Sequence, residues 1–197
     1  MKKLVKILGL LLVAGALFVG CKQEANIETD KIEFSNGKWD IVSTASAKMT
    51  DEDVGAFDMA IRYNETIQVT GDSYKYLKMS YTMSMTYEMP TEAEAAQLKQ
   101  YLELQSGVTV TVSGKKVTAS KTTTADADEI ADMNEDENKI SEDYSAADYP
   151  EGTIIKTNKG KTEYKISYKY KSEGEDAEYS VFGDAEVTVT ITIKKQK

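Results

Sequence analysis

The sequence predicts an all-β fold of about nine antiparallel strands, with one helix near residues 91–104. Three observations carry this. Apolar and polar residues alternate with a period of two over most of residues 37–197, which gives each set its own face on a strand and would scramble both around a helix. Turn residues recur between the alternating runs, at Gly71-Asp72, Gly114-Lys115, Asn158 to Lys161, Glu173 to Asp176 and Gly183-Asp184. The links are short, and short links favour antiparallel neighbours.

Trp39 to Ala47 and Ile61 to Val69 read as the first two strands. The third is the clearest. From Leu77 to Met89 every odd position is Leu, Met or Tyr, and every even position is Lys, Ser, Thr or Glu. Pro90 stops it. A helix follows, with Thr91 as cap, Glu94 three residues on as the second half of a capping box, and a narrow stripe of Ala95, Leu98 and Leu102. Val108 to Val112 and Val117 to Thr123 are the next strands. The acidic stretch 125–149 begins like a helix and then loses its period, so a partly helical, partly mobile excursion is expected. Thr153 to Asn158, Tyr164 to Lys171, Glu178 to Phe182 and Val187 to Ile193 complete the set. One apolar face per strand means one buried face per sheet. Closing the sheet on itself removes exposed edges, so a closed barrel is preferred over a β-sandwich or open sheet.

Composition removes several functions. The chain has 197 residues, 24 basic and 33 acidic side chains, a net charge of -9, no His and one Cys. A Ser-His-Asp triad, an imidazole metal ligand, an internal disulfide and a CxxC pair are all excluded. A net-acidic chain does not suit phosphate-backbone binding, so no nucleic-acid partner is expected. No pair of carboxylates is singled out by spacing for acid–base work, and Ser and Thr lie on polar strand faces without a base. The expectation is a non-enzymatic protein without cofactor or metal.

The N-terminus says where the protein works. Lys2, Lys3 and Lys6 precede an apolar run from Ile7 to Val19, then Gly20 and Cys21. This is the order of a secretory signal peptide, and the run is shorter than the ~20 residues that span a bilayer. Leu17-Phe18-Val19-Gly20-Cys21 resembles the lipobox of bacterial lipoproteins. The resemblance implies cleavage before Cys21, acyl chains on that residue, and attachment to a membrane of the bacterial cell envelope, at the outer membrane or cell surface. Residues 1–20 are then signal peptide, 21–36 a lipidated N-terminus and polar tether, and 37–197 one β-rich domain. Two or three acyl chains hold durably where one binds marginally, so attachment is expected to rest on lipid rather than on a basic patch.

Gly37-Lys38-Trp39, at the start of the first strand, resembles the G-x-W signature of lipocalins. That family implies an up-and-down barrel closed at one end by the Trp, a cavity for a small apolar ligand, and a late basic residue against the Trp. The single Arg is Arg62, so a late Lys such as Lys194 would take that place. Together with the apolar face of the third strand, the resemblance nominates Trp39, Met79, Tyr81, Met83, Met85, Tyr87 and Tyr168 as lining for a small apolar or amphipathic ligand. The rival is a solid core, with protein or glycan bound at the outer surface.

Two further clusters read as surface. Asp132, Asn134, Asp136, Asn138 and Asp143 have oxygens near EF-hand spacing, but Glu137 stands where the loop needs Gly, so a solvated acidic loop is expected. Lys156, Lys159, Lys161, Lys165, Lys169 and Lys171 crowd one hairpin, as a soluble outer face that also discourages edge pairing, or as a basic face for anionic glycans or lipid headgroups.

Overall fold

The computed structural model describes residues 27–51, 55–171, 181–183 and 185–197. Cys21, the signal peptide, the turn at Glu173 to Asp176 and most of the strand expected at Glu178 to Phe182 lie outside the described residues; Val181 and Phe182 themselves are in a turn. The fold is mostly antiparallel β with three short helices.

In chain order the elements are β1 (Ile27–Glu28), β2 (Gly37–Asp51), β3 (Gly55–Thr70), β4 (Ser73–Glu88), α1 (Glu92–Leu102), β5 (Thr109–Ser113), β6 (Lys116–Thr124), α2 (Ala127–Met133), β7 (Asn138–Lys139), α3 (Ile140–Asp143), β8 (Ile154–Thr157), β9 (Glu163–Lys171) and β10 (Glu186–Lys195). They form one sheet in the order β1-β8-β9-β10-β2-β3-β4-β6-β5, with β7 paired to β4 off that path. The last long strand, β10, lies beside the first, β2, from Thr188↔Ser46 to Lys195↔Trp39. Among the described residues β1 and β5 end the path without pairing each other, so the sheet is not closed. The closed barrel favoured by the sequence is therefore not what the pairing gives. The end strands are short, with two and five residues, against 15 or 16 in β2, β3 and β4.

One face of this sheet is the core. Trp39, Ile67, Val69, Tyr164, Ile166, Val187, Val189 and Ile193 are fully buried on it. Two stretches of chain pack over the same face. Residues 29–36, expected as tether, run along the body. Thr29 N–H donates to Ile155 O at 3.0 Å, the Tyr164 hydroxyl bridges the backbone of Glu33, and the Phe34 ring meets Trp39 at 4.9 Å. The acidic excursion is the second: it starts with α2 beside the outward face of β4 and reaches the core face with Ile140, Tyr144 and Tyr149. Its helix α2 has a full capping box between Asp126 and Glu129. The Asn134 side chain then accepts from Tyr76 N–H at 2.8 Å and donates to Tyr76 O at 3.0 Å, as a neighbouring strand would. Asp72 holds the next turn, accepting from Ser141 N–H and Oγ at 2.9 and 2.6 Å. Tyr144 then stacks on Phe34 at 5.2 Å and Tyr149 on Tyr168 at 5.9 Å.

Helix α1 lies where the sequence put it, with Thr91 Oγ1 accepting from Glu94 N–H at 3.2 Å. It packs on β5 and β6, where Ala95 and Val117 are fully buried.

The G-x-W segment has a local physical reason. Gly37 has φ of +131°, and a Cβ there would meet Lys195 Cε at 3.1 Å. Only Gly fits that conformation and that approach. The Lys195 ammonium sits 5.8 Å from the centre of the Trp39 ring and donates to Ser35 Oγ at 2.7 Å. The basic partner of the Trp is thus Lys195. Lys194, named from the sequence, is one residue off and pairs with Asp40 on the opposite face.

Candidate functional site

The register decides which of the nominated residues share a face. β3 and β4 pair from Thr70↔Ser73 to Phe57↔Tyr87, with one irregularity: Ile67 pairs Tyr76 while Thr66 pairs Lys78. Leu77 is left without a partner, as a β-bulge. A bulge absorbs one residue and reverses the parity of the strand beyond it. Tyr74 and Tyr76 before it therefore share the core face with Met79, Tyr81, Met83, Met85 and Tyr87 after it. Leu77, read from the alternation as one of that set, is instead 40% exposed.

The nominated residues divide into two groups. Trp39 and Tyr168 are buried in the packed half of the core, Trp39 with its indole N–H on Ser35 O at 2.8 Å. Burial raises the Tyr168 hydroxyl to about 12. Met79, Tyr81, Met83, Met85 and Tyr87 lie on the β4 side, each at least partly open. Tyr81 stacks on Tyr63 at 5.8 Å and Tyr87 on Phe57 at 5.4 Å. At the Trp39 end the core is packed with aromatic rings, Phe34 lying against both Trp39 and Tyr144.

A groove of about 660 Å³ opens elsewhere, between the bulge and α2. Its position follows from the bulge, which turns Leu77 outward, and from the Ala125 N–H bond to Met79 O at 2.9 Å, which starts α2 beside β4. Val42, Leu77 and Ile130 give it apolar walls, and Asp40, Asn64 and Thr124 a polar floor. Glu65 and Met79 also contribute to its lining, although the register puts their side chains on the core face. Asp40 is held in place by Thr66 Oγ1 and Gln196 Nε2, both donating at 2.8 Å. Of the nominated ligand residues, Met79 alone borders this groove.

The sequence reading missed Glu65. It sits on the core face of β3 between Tyr63 and Ile67, 7% exposed, opposite Met79. Its one hydrogen bond is from the Tyr144 hydroxyl, at 3.4 Å, and no cation pairs with it among the described residues. Burial pushes its carboxyl up to about 7, and the Tyr144 bond works weakly the other way. Tyrosines surround it. The Tyr74 and Tyr76 hydroxyls lie 3.3 Å apart, and Tyr74 donates to Asp143 at 3.0 Å. Burial, then neighbouring groups, raises all of them and Tyr144. The signal was available: in Ile61, Tyr63, Glu65, Ile67, Val69 the acid stands at an apolar position.

Three of the five calcium candidates make other hydrogen bonds. Asn134 clamps the Tyr76 backbone, Asp143 accepts from Tyr74, and buried Asn138 donates to Met133 O at 3.1 Å. Among the described residues no three His, Cys, Asp or Glu side chains converge as a metal site. No family model, no curated protein and no solved structure matches this chain.

Proposed function

We propose that the chain is a lipid-anchored protein of a bacterial cell envelope, at the outer membrane or cell surface, that holds a small amphipathic molecule without catalysing a reaction. The groove beside α2 carries the ligand part of this reading. Its volume falls in the range of small-molecule sites, roughly 300–1,000 Å³. Its walls are apolar and its floor offers side-chain hydrogen bonds from strands rather than from loops. The packing around Trp39 makes this groove a better place for a ligand than the end of the sheet that a lipocalin would use. The order Lys2 to Lys6, Ile7 to Val19, Gly20, Cys21 supports the anchor.

The test is titration of the purified protein with long-chain fatty acids and single-chain amphiphiles, read by calorimetry. Saturable binding is expected, and Leu77→Asp weakens it at least tenfold. Leu77 is exposed enough for that change to leave the fold intact. Absence of saturable binding to all of them would refute the ligand reading.

The interior around Trp39 favours a second reading. A core packed with Phe34 and Tyr144 beside Trp39 suits a structural or interaction lipoprotein that binds protein or glycan at its surface. The same titration, if flat, leaves this reading standing.

A further inference from the structure

We propose that the outer face of β8, β9 and β10 lies on the membrane, held by anionic lipid headgroups. The proposal rests on lipid anchoring at Cys21 and adds the orientation that the anchor alone does not set. β1 pairs β8 at the edge of the sheet, Ile27↔Thr157 and Glu28↔Lys156, so the first described residue stands beside β8. Only residues 22–26 separate Cys21 from Ile27. At about 3.3–3.6 Å per extended residue, the anchor keeps β1 within about 20 Å of the bilayer. The roughly threefold longer tether expected from sequence is shortened by the docking of residues 27–36.

The face that this brings to the membrane is basic. The β8–β9 register sets Lys156 directly opposite Lys165. Like charges so placed repel, and neither makes an ion pair among the described residues. Lys169 and Lys171 continue along β9, and Lys194 of β10 stands opposite Glu163. Leaving Lys171 aside, four lysines at the outer positions of these strands meet two glutamates, Glu163 and Glu186, with Asp40 of β2 beside Lys194. Glu186 is taken up by Lys169 at 2.7 Å, and Glu28 beside Lys156 offsets part of the charge. In a chain of net charge -9 this is a local reversal of sign. Ile154, on the same face and 47% exposed, and Ile27, at the edge and 51% exposed, add apolar contact. Lysines around a projecting isoleucine suit the headgroup layer, where stems lie on apolar surface and ammonium groups reach phosphate. An anionic phosphate over Lys156 and Lys165 relieves their mutual repulsion.

Acetylation of lysines in the purified native protein tests this, in vesicles of phosphatidylcholine alone and of an equimolar mixture with phosphatidylglycerol. Expected is several-fold slower labelling of Lys156, Lys165 and Lys194 in the mixed vesicles, with Lys115 and Lys116 of the β5–β6 hairpin unchanged. High salt should erase the difference, and Lys156→Gln with Lys165→Gln should remove the protection of Lys194. Equal labelling in both vesicles, or protection of Lys115 and Lys116 instead, overturns the proposal. A chain that does not stay with phosphatidylcholine vesicles defeats the anchor reading. The basic face must then still draw the chain onto mixed vesicles at low salt, and failure there overturns the orientation too.

Discussion

Replacing Glu65 by Gln isolates a buried acid from everything around it. In the folded protein the carboxyl titrates at about 7, against 4.5 ordinarily. Between those values the folded chain keeps a proton that the unfolded chain has released. The contribution of this carboxyl to stability is therefore greatest below pH 4.5, falls as pH rises through this window, and levels off above about 7. A shift of this size corresponds to about 3 kcal/mol between the two plateaus. The variant cannot ionise there, so its curve lacks this component. Relative to the natural protein it gains up to about 3 kcal/mol at pH 8.5 and stays within about 1 kcal/mol of it at pH 4. Urea unfolding followed through Trp39, the single Trp, reads both across that range. Other carboxylates titrate equally in the two proteins and cancel in the difference. Parallel stability–pH curves would refute the reasoning, because they would mean that the Glu65 carboxyl is hydrated in the folded state.

Asn134→Ala removes both side-chain bonds to the Tyr76 backbone; a loss of about 1–3 kcal/mol is expected, with faster amide exchange at Tyr76 as the specific readout. Gly37→Ala forces a side chain into a positive φ against Lys195 and should cost about 1–3 kcal/mol, measured by the same unfolding assay. Trp39→Ala empties the site of the largest fully buried side chain among the described residues and should cost about 3–5 kcal/mol, enough to show as a lower thermal midpoint. Cys21→Ser should abolish partitioning into the detergent phase; a variant that still partitions, or native material with an unmodified Cys21 by mass spectrometry, refutes the anchor.

Local rules were enough for much of the fold. Alternation at Val187 to Ile193 and at Met79 to Tyr87 placed each set on one face, because side chains of a strand must alternate. Thr91 and Glu94 located α1 because helix ends leave N–H groups that a nearby oxygen can take. The misses have a common cause. Leu77 reads as one more odd-numbered apolar residue, and nothing local marks it as the extra residue of a bulge. Tyr74 and Tyr76 then fall on the wrong parity until the pairing with Val69 and Ile67 is known. Asn134, Ser141 and Tyr144 look like parts of a loose acidic excursion because their partners, Tyr76, Asp72 and Phe34, are distant in sequence. Ile27 and Glu28 look like tether for the same reason.

The candidate site shows the same division. The apolar ledge on β4 was legible from its period. The groove beside α2 was not, since it exists where a bulge, a strand row and a helix start happen to meet. Glu65 was legible in principle as a charge in an apolar register, but its lack of a cationic partner among the described residues depends on packing.

The amino-acid order alone fixed the strand pattern, the first helix and the signature around Gly20 and Cys21, since each depends on neighbours within a few residues. Tertiary structure alone decided that the sheet stays open, which lysine meets Trp39, where Leu77 turns outward and what covers Glu65. Those outcomes depend on which distant strands pair and in which register, and a one-residue change of register exchanges the two faces of a strand.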